Sequence, residues 1–72
     1  MKLFRDFLEE CIGKPLVLWL KSLPQTALQG FIYSVEADYI IWHGKEGTTI
    51  QYLYIPINNI DTVSNYAQNS EN

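Results

Sequence analysis

The side chains best suited to covalent or metal chemistry in this chain are its one cysteine, Cys11, and its one histidine, His43. A catalytic thiol needs an imidazole beside it, and a metal site needs ligand spacings such as CxxC or HxxxH, which the sequence lacks. Cys11 falls on the apolar side of a predicted helix, where a small core residue is expected. His43 precedes Gly44 at a predicted hairpin and is expected to be exposed. The pair predicts neither a nucleophile nor a metal centre.

The acidic residues offer one further chemical possibility. Glu36 and Asp38 are two positions apart and could share a site, as paired carboxylates do, but a polar bend between strands explains them more simply. The sequence contains no phosphate-binding loop and no set of nucleophile, base and orienting group. It therefore predicts a protein that is not an enzyme and that uses no metal and no cofactor.

Aromatic side chains are the remaining candidates for binding chemistry. They could stack on the bases of a single-stranded nucleic acid. They could also fill the core and a subunit interface, where tyrosine and tryptophan are common, and this second explanation is favoured for most of them. The residues in question are Trp19, Tyr33, Tyr39, Trp42, Tyr52 and Tyr54.

The spacing of apolar residues predicts one helix over about residues 2–12. Apolar residues recur there at intervals of three and four, which places them on one stripe of a helix. Gly13 supplies a helix stop, and Pro15 prevents continuation. The stripe consists of Leu3, Phe4, Phe7, Leu8, Cys11 and Ile12.

Turn-forming residues divide the rest of the chain into short strands. Turns are predicted at Leu23–Thr26, which contains Pro24, and at residues 44–48, which contain two glycines. Glu36 and Ala37 mark a bend, and Pro56 belongs at a strand end or bulge because it lacks a backbone donor. The predicted strands cover about residues 16–22, 27–35, 38–43, 48–55 and 58–63.

Together these elements predict an all-β fold with an N-terminal α-helix, followed by a five-stranded, strongly bent barrel. Residues 1–65 form its single domain, and residues 66–72 form a polar C-terminal tail with no apolar periodicity.

Charge and hydropathy limit the function classes. The net charge of −3 argues against strong non-specific binding to phosphate, and the five basic residues are scattered. No apolar stretch of about 18 residues is present, so we expect no membrane span. Acidic residues interrupt the apolar start that a signal peptide would need. A cytoplasmic location is the expectation.

The second strand predicts that the chain assembles with copies of itself. With strand alternation, one face carries Leu28, Gly30, Ile32 and Ser34, and the other carries Gln29, Phe31, Tyr33 and Val35. Both faces are largely apolar, and a chain of 72 residues buries too little surface to be robust alone. With one cysteine, an internal disulfide is impossible. A homo-oligomer would cover the second face.

The order of elements resembles the Sm-like family, which includes the bacterial RNA chaperone Hfq. The resemblance runs from about Phe4 to Val63. "DFLEECIGKPLVLWL" resembles the opening helix and first strand of Hfq, "LQGFIYSVEADYII" the first Sm motif, and "IPINNIDTV" the second. The "YIP" at Tyr54–Pro56 also resembles small uncharacterised Sm-like proteins of spore-forming bacteria.

The resemblance implies a closed ring of six or seven subunits that binds single-stranded RNA in post-transcriptional regulation. In such rings the fourth strand of one subunit pairs with the fifth strand of the next. Tyr39 and Trp42 flank the loop expected to face the RNA, and Asn58 and Asn59 could hydrogen-bond a base or simply form a turn. The implied subunit interface comprises Tyr52, Tyr54, Ile55, Ile57 and Ile60.

Several family positions differ here. Pro56 and Ile57 stand where the second motif commonly has an Arg-Gly pair, and the Tyr-Lys-His run of Hfq is absent. Ala37 and Asp38 replace a Gln-Phe pair that grips the base, and Ile40 replaces an asparagine. Two functions therefore stay open. One is a diverged RNA-associated ring, and the other is a ring that binds a protein partner and has lost the RNA site.

Overall fold

The computed structural model describes residues 3–46 and 49–65. The predicted helix start at residue 2, part of the predicted turn at residues 44–48 and the predicted tail at residues 66–72 lie outside these ranges.

Helix α1, Phe4–Glu10, is shorter than predicted. Its buried side chain is Leu8, and Cys11, which follows the helix, is also buried. The predicted stripe is only partly used, because Leu3, Phe4 and Ile12 are exposed. The helix ends early because the chain turns through Gly13, whose φ is +83°, a value that suits glycine.

Five antiparallel strands follow α1 and form one sheet in the order β4-β3-β2-β1-β5. This confirms a β-rich fold with an N-terminal helix. Within the described residues no ladder joins β4 to β5, so the sheet is not closed there. The strands are β1 Leu16–Leu20, β2 Leu23–Val35, β3 Tyr39–Glu46, β4 Thr49–Pro56 and β5 Ile60–Asn65.

Gly30 is the residue at which β2 changes its pairing partner. The stretch of β2 up to Gly30 pairs with β1, and the stretch from Gly30 to Val35 pairs with β3. A Cβ atom placed on Gly30 would overlap the backbone carbonyl oxygen of His43. Only glycine lets the β3 backbone approach this closely.

The predicted turn at Leu23–Thr26 is wrong, because these residues begin β2. The chain reverses at Lys21 and Ser22, and Leu20 stands opposite Leu23. The register then shifts, so Pro24 lies in an irregular, exposed part of the strand where a missing donor breaks no ladder bond. The predicted start of the fifth strand at residue 58 is also wrong, since Ile57–Asn59 form a 3₁₀ turn.

A bulge corrects the predicted faces of β2. The register with β3 shifts between Ile32, opposite Trp42, and Ser34, opposite Ile41. The extra residue is Tyr33, which is exposed. After the bulge Val35 packs against the core instead of lying on the outer face.

The core lies under α1 and inside the curved sheet. Alternate residues of β1 are buried, because successive side chains of a strand point to opposite faces of the sheet. No described helix is long and apolar enough to cross a membrane. The core residues are Leu8, Cys11, Leu16, Leu18, Leu20, Ile32, Ile40, Trp42, Ile55 and Ile60.

Candidate binding surface

The outer side of β2, β3 and β4 carries a group of rings that we call the aromatic face. In the β3–β4 ladder, Tyr39, Ile41 and His43 stand opposite Pro56, Tyr54 and Tyr52. The alternate positions, such as Ile40 opposite Ile55, point into the core. The aromatic face consists of Phe31, Tyr33, Tyr39, His43, Tyr52 and Tyr54.

Ring contacts join the three strands across this face. The Phe31 ring stacks on the His43 imidazole with centroids 4.5 Å apart. His43 meets Tyr52 edge to face at 4.9 Å, and Tyr52 meets Tyr33 edge to face at 5.5 Å. These separations and angles are favourable for aromatic pairs. They form a continuous row of four rings from β2 to β4.

A second ring pair extends the face toward the β2–β3 loop. The Tyr39 and Tyr54 centroids are 6.0 Å apart. Tyr54 is 67% exposed, and Tyr33 and Tyr52 are each more than half exposed. Exposed large rings that touch each other form a patch rather than scattered surface residues, and such patches mark binding sites. None of the six residues that define the aromatic face is an aspartate, glutamate, lysine or arginine.

The structure separates the two residues predicted to stack on RNA. Tyr39 lies on the aromatic face, but Trp42 is three positions further along β3 and points to the opposite side. Trp42 is 1% exposed and belongs to the core. A ring enclosed in this way offers no face for stacking, so Trp42 does not fit the predicted role.

The two asparagines predicted to contact a base also have different surroundings. The Asn59 Nδ2 donates to the Ser22 hydroxyl at 3.0 Å, and the Asn59 Oδ1 accepts from the Ser22 N–H at 3.2 Å. The Lys21 N–H donates to the Asn59 carbonyl oxygen at 2.7 Å. Asn59 thus fastens the β1–β2 turn, which is a structural task. Asn58 is exposed and remains open to a ligand.

The predicted interface residues also divide into two groups. Tyr52 and Tyr54 are exposed on the aromatic face, whereas Ile55 and Ile60 are buried inside the chain itself. Ile57 is partly buried against the same core. Of the five, the two tyrosines have the side chains most available to a neighbouring molecule.

The outer edge of β4 is open in the described part of the chain. The Ile57 N–H donates to the Asp38 carbonyl oxygen at 2.9 Å, one step beyond the Tyr39–Pro56 pair. Hydrogen-bonded and non-hydrogen-bonded pairs alternate in an antiparallel ladder. The backbone groups of Tyr54, Tyr52 and Ile50 therefore point away from β3, toward the open edge. Pro56 falls in the same set, where its missing donor leaves the β3–β4 ladder intact.

The β2–β3 loop is held by contacts to α1. The Arg5 Nε donates to the Glu36 carbonyl oxygen at 3.2 Å, and the Ser34 hydroxyl donates to a Glu36 carboxylate oxygen at 3.0 Å. Arg5 also pairs with Glu9 at 3.2 Å. Glu36 thus takes part in holding the bend. Among the described residues, no group of three or more His, Cys, Asp or Glu side chains could hold a metal ion.

The sequence predicts His43 as an exposed hairpin residue and assigns Phe31 to no site, whereas the structure stacks the two rings on the aromatic face. The signal was present in the alternation of β3 and β4, because His43 shares its parity with Tyr39.

No family model, no curated protein and no solved structure matches this chain.

Proposed function

We propose that the chain is a non-enzymatic, Sm-like module that assembles into a homo-oligomeric ring and binds single-stranded RNA on its aromatic face. The observation that carries the proposal is the row of four touching rings, Phe31, His43, Tyr52 and Tyr33. Exposed rings on a sheet are a stacking platform for unpaired bases, and each stacked base contributes about 1–3 kcal/mol.

The strand order supports the assembly. The two outer strands of the sheet are β4 and β5, the pair that joins neighbouring subunits in Sm-like rings. The open backbone groups of Ile50, Tyr52 and Tyr54 are able to accept an incoming strand. Unprotected edges of this kind are a hazard for a monomer, and pairing with a second copy would remove it.

The charge distribution predicts how the RNA would be held. The net charge is −3, and none of the six residues that define the aromatic face is a lysine or an arginine. Stacking then has to supply most of the affinity, with few phosphate contacts. We expect RNA affinity to fall only slowly with added salt, in contrast to a basic RNA binder.

The test is fluorescence anisotropy of a labelled single-stranded RNA with variants at Tyr33, which is exposed and lies away from the open edge of β4. Tyr33→Ala should weaken binding by about 1–3 kcal/mol, or roughly 5- to 150-fold. Tyr33→Phe keeps the ring and should bind nearly as well as the parent chain.

The matched control is Leu23→Ala, an exposed apolar residue in the irregular start of β2 rather than on the aromatic face. It should leave RNA affinity unchanged. Negligible binding by the parent chain at physiological salt would contradict the proposal, as would equal binding by Tyr33→Ala.

A second candidate function is a ring that binds a protein partner through the same face. The observation favouring it is the clustering of three exposed tyrosines, Tyr33, Tyr52 and Tyr54, in one patch, because tyrosine is enriched at protein interfaces. Capture of a partner that is lost in Tyr33→Ala, together with no RNA affinity, would select this candidate.

A further inference from the structure

A cavity of about 210 Å³ opens on the inner side of the sheet, opposite to the aromatic face. It exists because β2 leaves β3 at Gly30, so the earlier part of β2 has no partner in β3. The gap between them is lined by side chains and backbone that include Leu28, Gln29, Trp42, Gly44, Gln51 and Leu53.

The buried indole of Trp42 borders this cavity with its polar edge. Gly44 also lines the cavity, and a Cβ built on Gly44 would lie 3.1 Å from the Trp42 Nε1 and 3.3 Å from its Cδ1. The Nε1 therefore faces the space that glycine leaves empty. Trp42 is 1% exposed, and its Nε1–H makes no hydrogen bond to a described backbone or side-chain group. An unpaired buried donor is costly and rare in native proteins.

The lining defines the chemistry of an occupant. None of the described residues that line the cavity is charged, so an ion beside them would lose its hydration without a compensating partner. Leu28 and Leu53 offer apolar contact, and Gln29 and Gln51 add neutral polar groups. The volume of about 210 Å³ is smaller than the roughly 300–1,000 Å³ of pockets for drug-sized ligands. It suits a molecule below drug size.

We propose that this cavity binds a small uncharged molecule with a carbonyl oxygen, which accepts a hydrogen bond from the Trp42 Nε1–H. The apolar body of the ligand packs against Leu28 and Leu53. Gly44 is required because a side chain there would crowd the donor. This site is separate from the aromatic face, and the proposal that it binds a ligand does not depend on RNA binding.

The experiment uses the full chain, labelled with ¹⁵N, and caprolactam, a neutral cyclic amide of this size. The two indole N–H signals are assigned with Trp19→Phe. Caprolactam should move the Trp42 signal in a saturable way, with a Kd on the order of 1 mM, which is typical of so small a ligand. The Trp19 signal should stay in place. No saturable shift would mean that caprolactam does not bind in the cavity. Equal shifts of both signals would mean non-specific binding. Either result would overturn the proposal.

Two variants test the role of the donor. Gly44→Ala should weaken caprolactam binding about tenfold or more, whereas Ser64→Ala, on the exposed surface of β5, should not change it. Should Gly44→Ala fail to fold, Trp42, the one tryptophan left in Trp19→Phe, can be replaced with a benzothiophene analogue that keeps the shape of the ring but lacks the N–H. Ligand-detected NMR should then show the same loss. Unchanged affinity in the protein without the N–H would refute the assignment.

Discussion

At the scale of single residues, side chains that are close in the sequence lie in different environments. Tyr39 is on the outer surface, whereas Trp42 is buried in the core. Strand alternation alone places residues three apart on opposite faces, so this separation was predictable. The fastening role of Asn59 was not predictable, because Ser22 lies 37 positions away in the sequence. Only the folded chain brings the two together.

Asn59→Ala should destabilise the fold, because it removes both side-chain hydrogen bonds that hold the β1–β2 turn. We expect a loss of about 1–2 kcal/mol in the free energy of unfolding, measured by chemical denaturation. Asn58→Ala is the matched control and should change this free energy by less than about 0.5 kcal/mol. Equal effects of the two substitutions would show that the Asn59 contacts contribute nothing.

At the scale of elements, the helix and the bend in β2 depend on each other. Gly13 N–H donates to the Ile32 carbonyl oxygen at 3.1 Å, and Leu8 fills the space beneath α1. The helix and the approximate strands were predictable from apolar spacing and turn residues. The bulge at Tyr33 was not, because it is set by the packing of Val35 and Ile40 against the core. Local patterns carry no information on such tertiary contacts.

Leu8→Ala should cost about 2–5 kcal/mol of folding stability, since it leaves a cavity where the helix meets the sheet. Leu3→Ala, at the exposed start of the same helix, should be nearly neutral. Thermal and chemical unfolding measure both effects. Should Leu8→Ala unfold like the parent chain, α1 would not be part of the cooperative core.

At the scale of the whole molecule, the open edge of the sheet and the exposed aromatic side chains both lead us to expect that this side of the chain contacts another molecule. The proposed contact between β4 and β5 of neighbouring subunits was implied by the family resemblance. The resemblance did not imply that exposed aromatic side chains would serve both this proposed contact and the proposed ligand. Tyr54 lies on β4, the strand at the open edge, and also belongs to the aromatic face. Assembly and binding would therefore use neighbouring parts of one surface.

Tyr54→Glu should weaken assembly, because a carboxylate beside the incoming strand has to lose its hydration. We expect species of lower mass and lower thermal stability than those of the parent chain. Leu23→Glu places the same charge in the irregular, exposed start of β2 and should leave assembly intact. If Tyr54→Glu assembles as the parent does, the open edge of β4 is not the contact between copies.

The most direct test of the account is light scattering with dual-wavelength absorbance on gently purified protein, with and without nuclease treatment. The account predicts a mass of six or seven times the 8.4 kDa chain, with an absorbance excess at 260 nm that nuclease removes. A stable monomer at 8.4 kDa with no bound nucleic acid would contradict both the ring and the RNA-binding face.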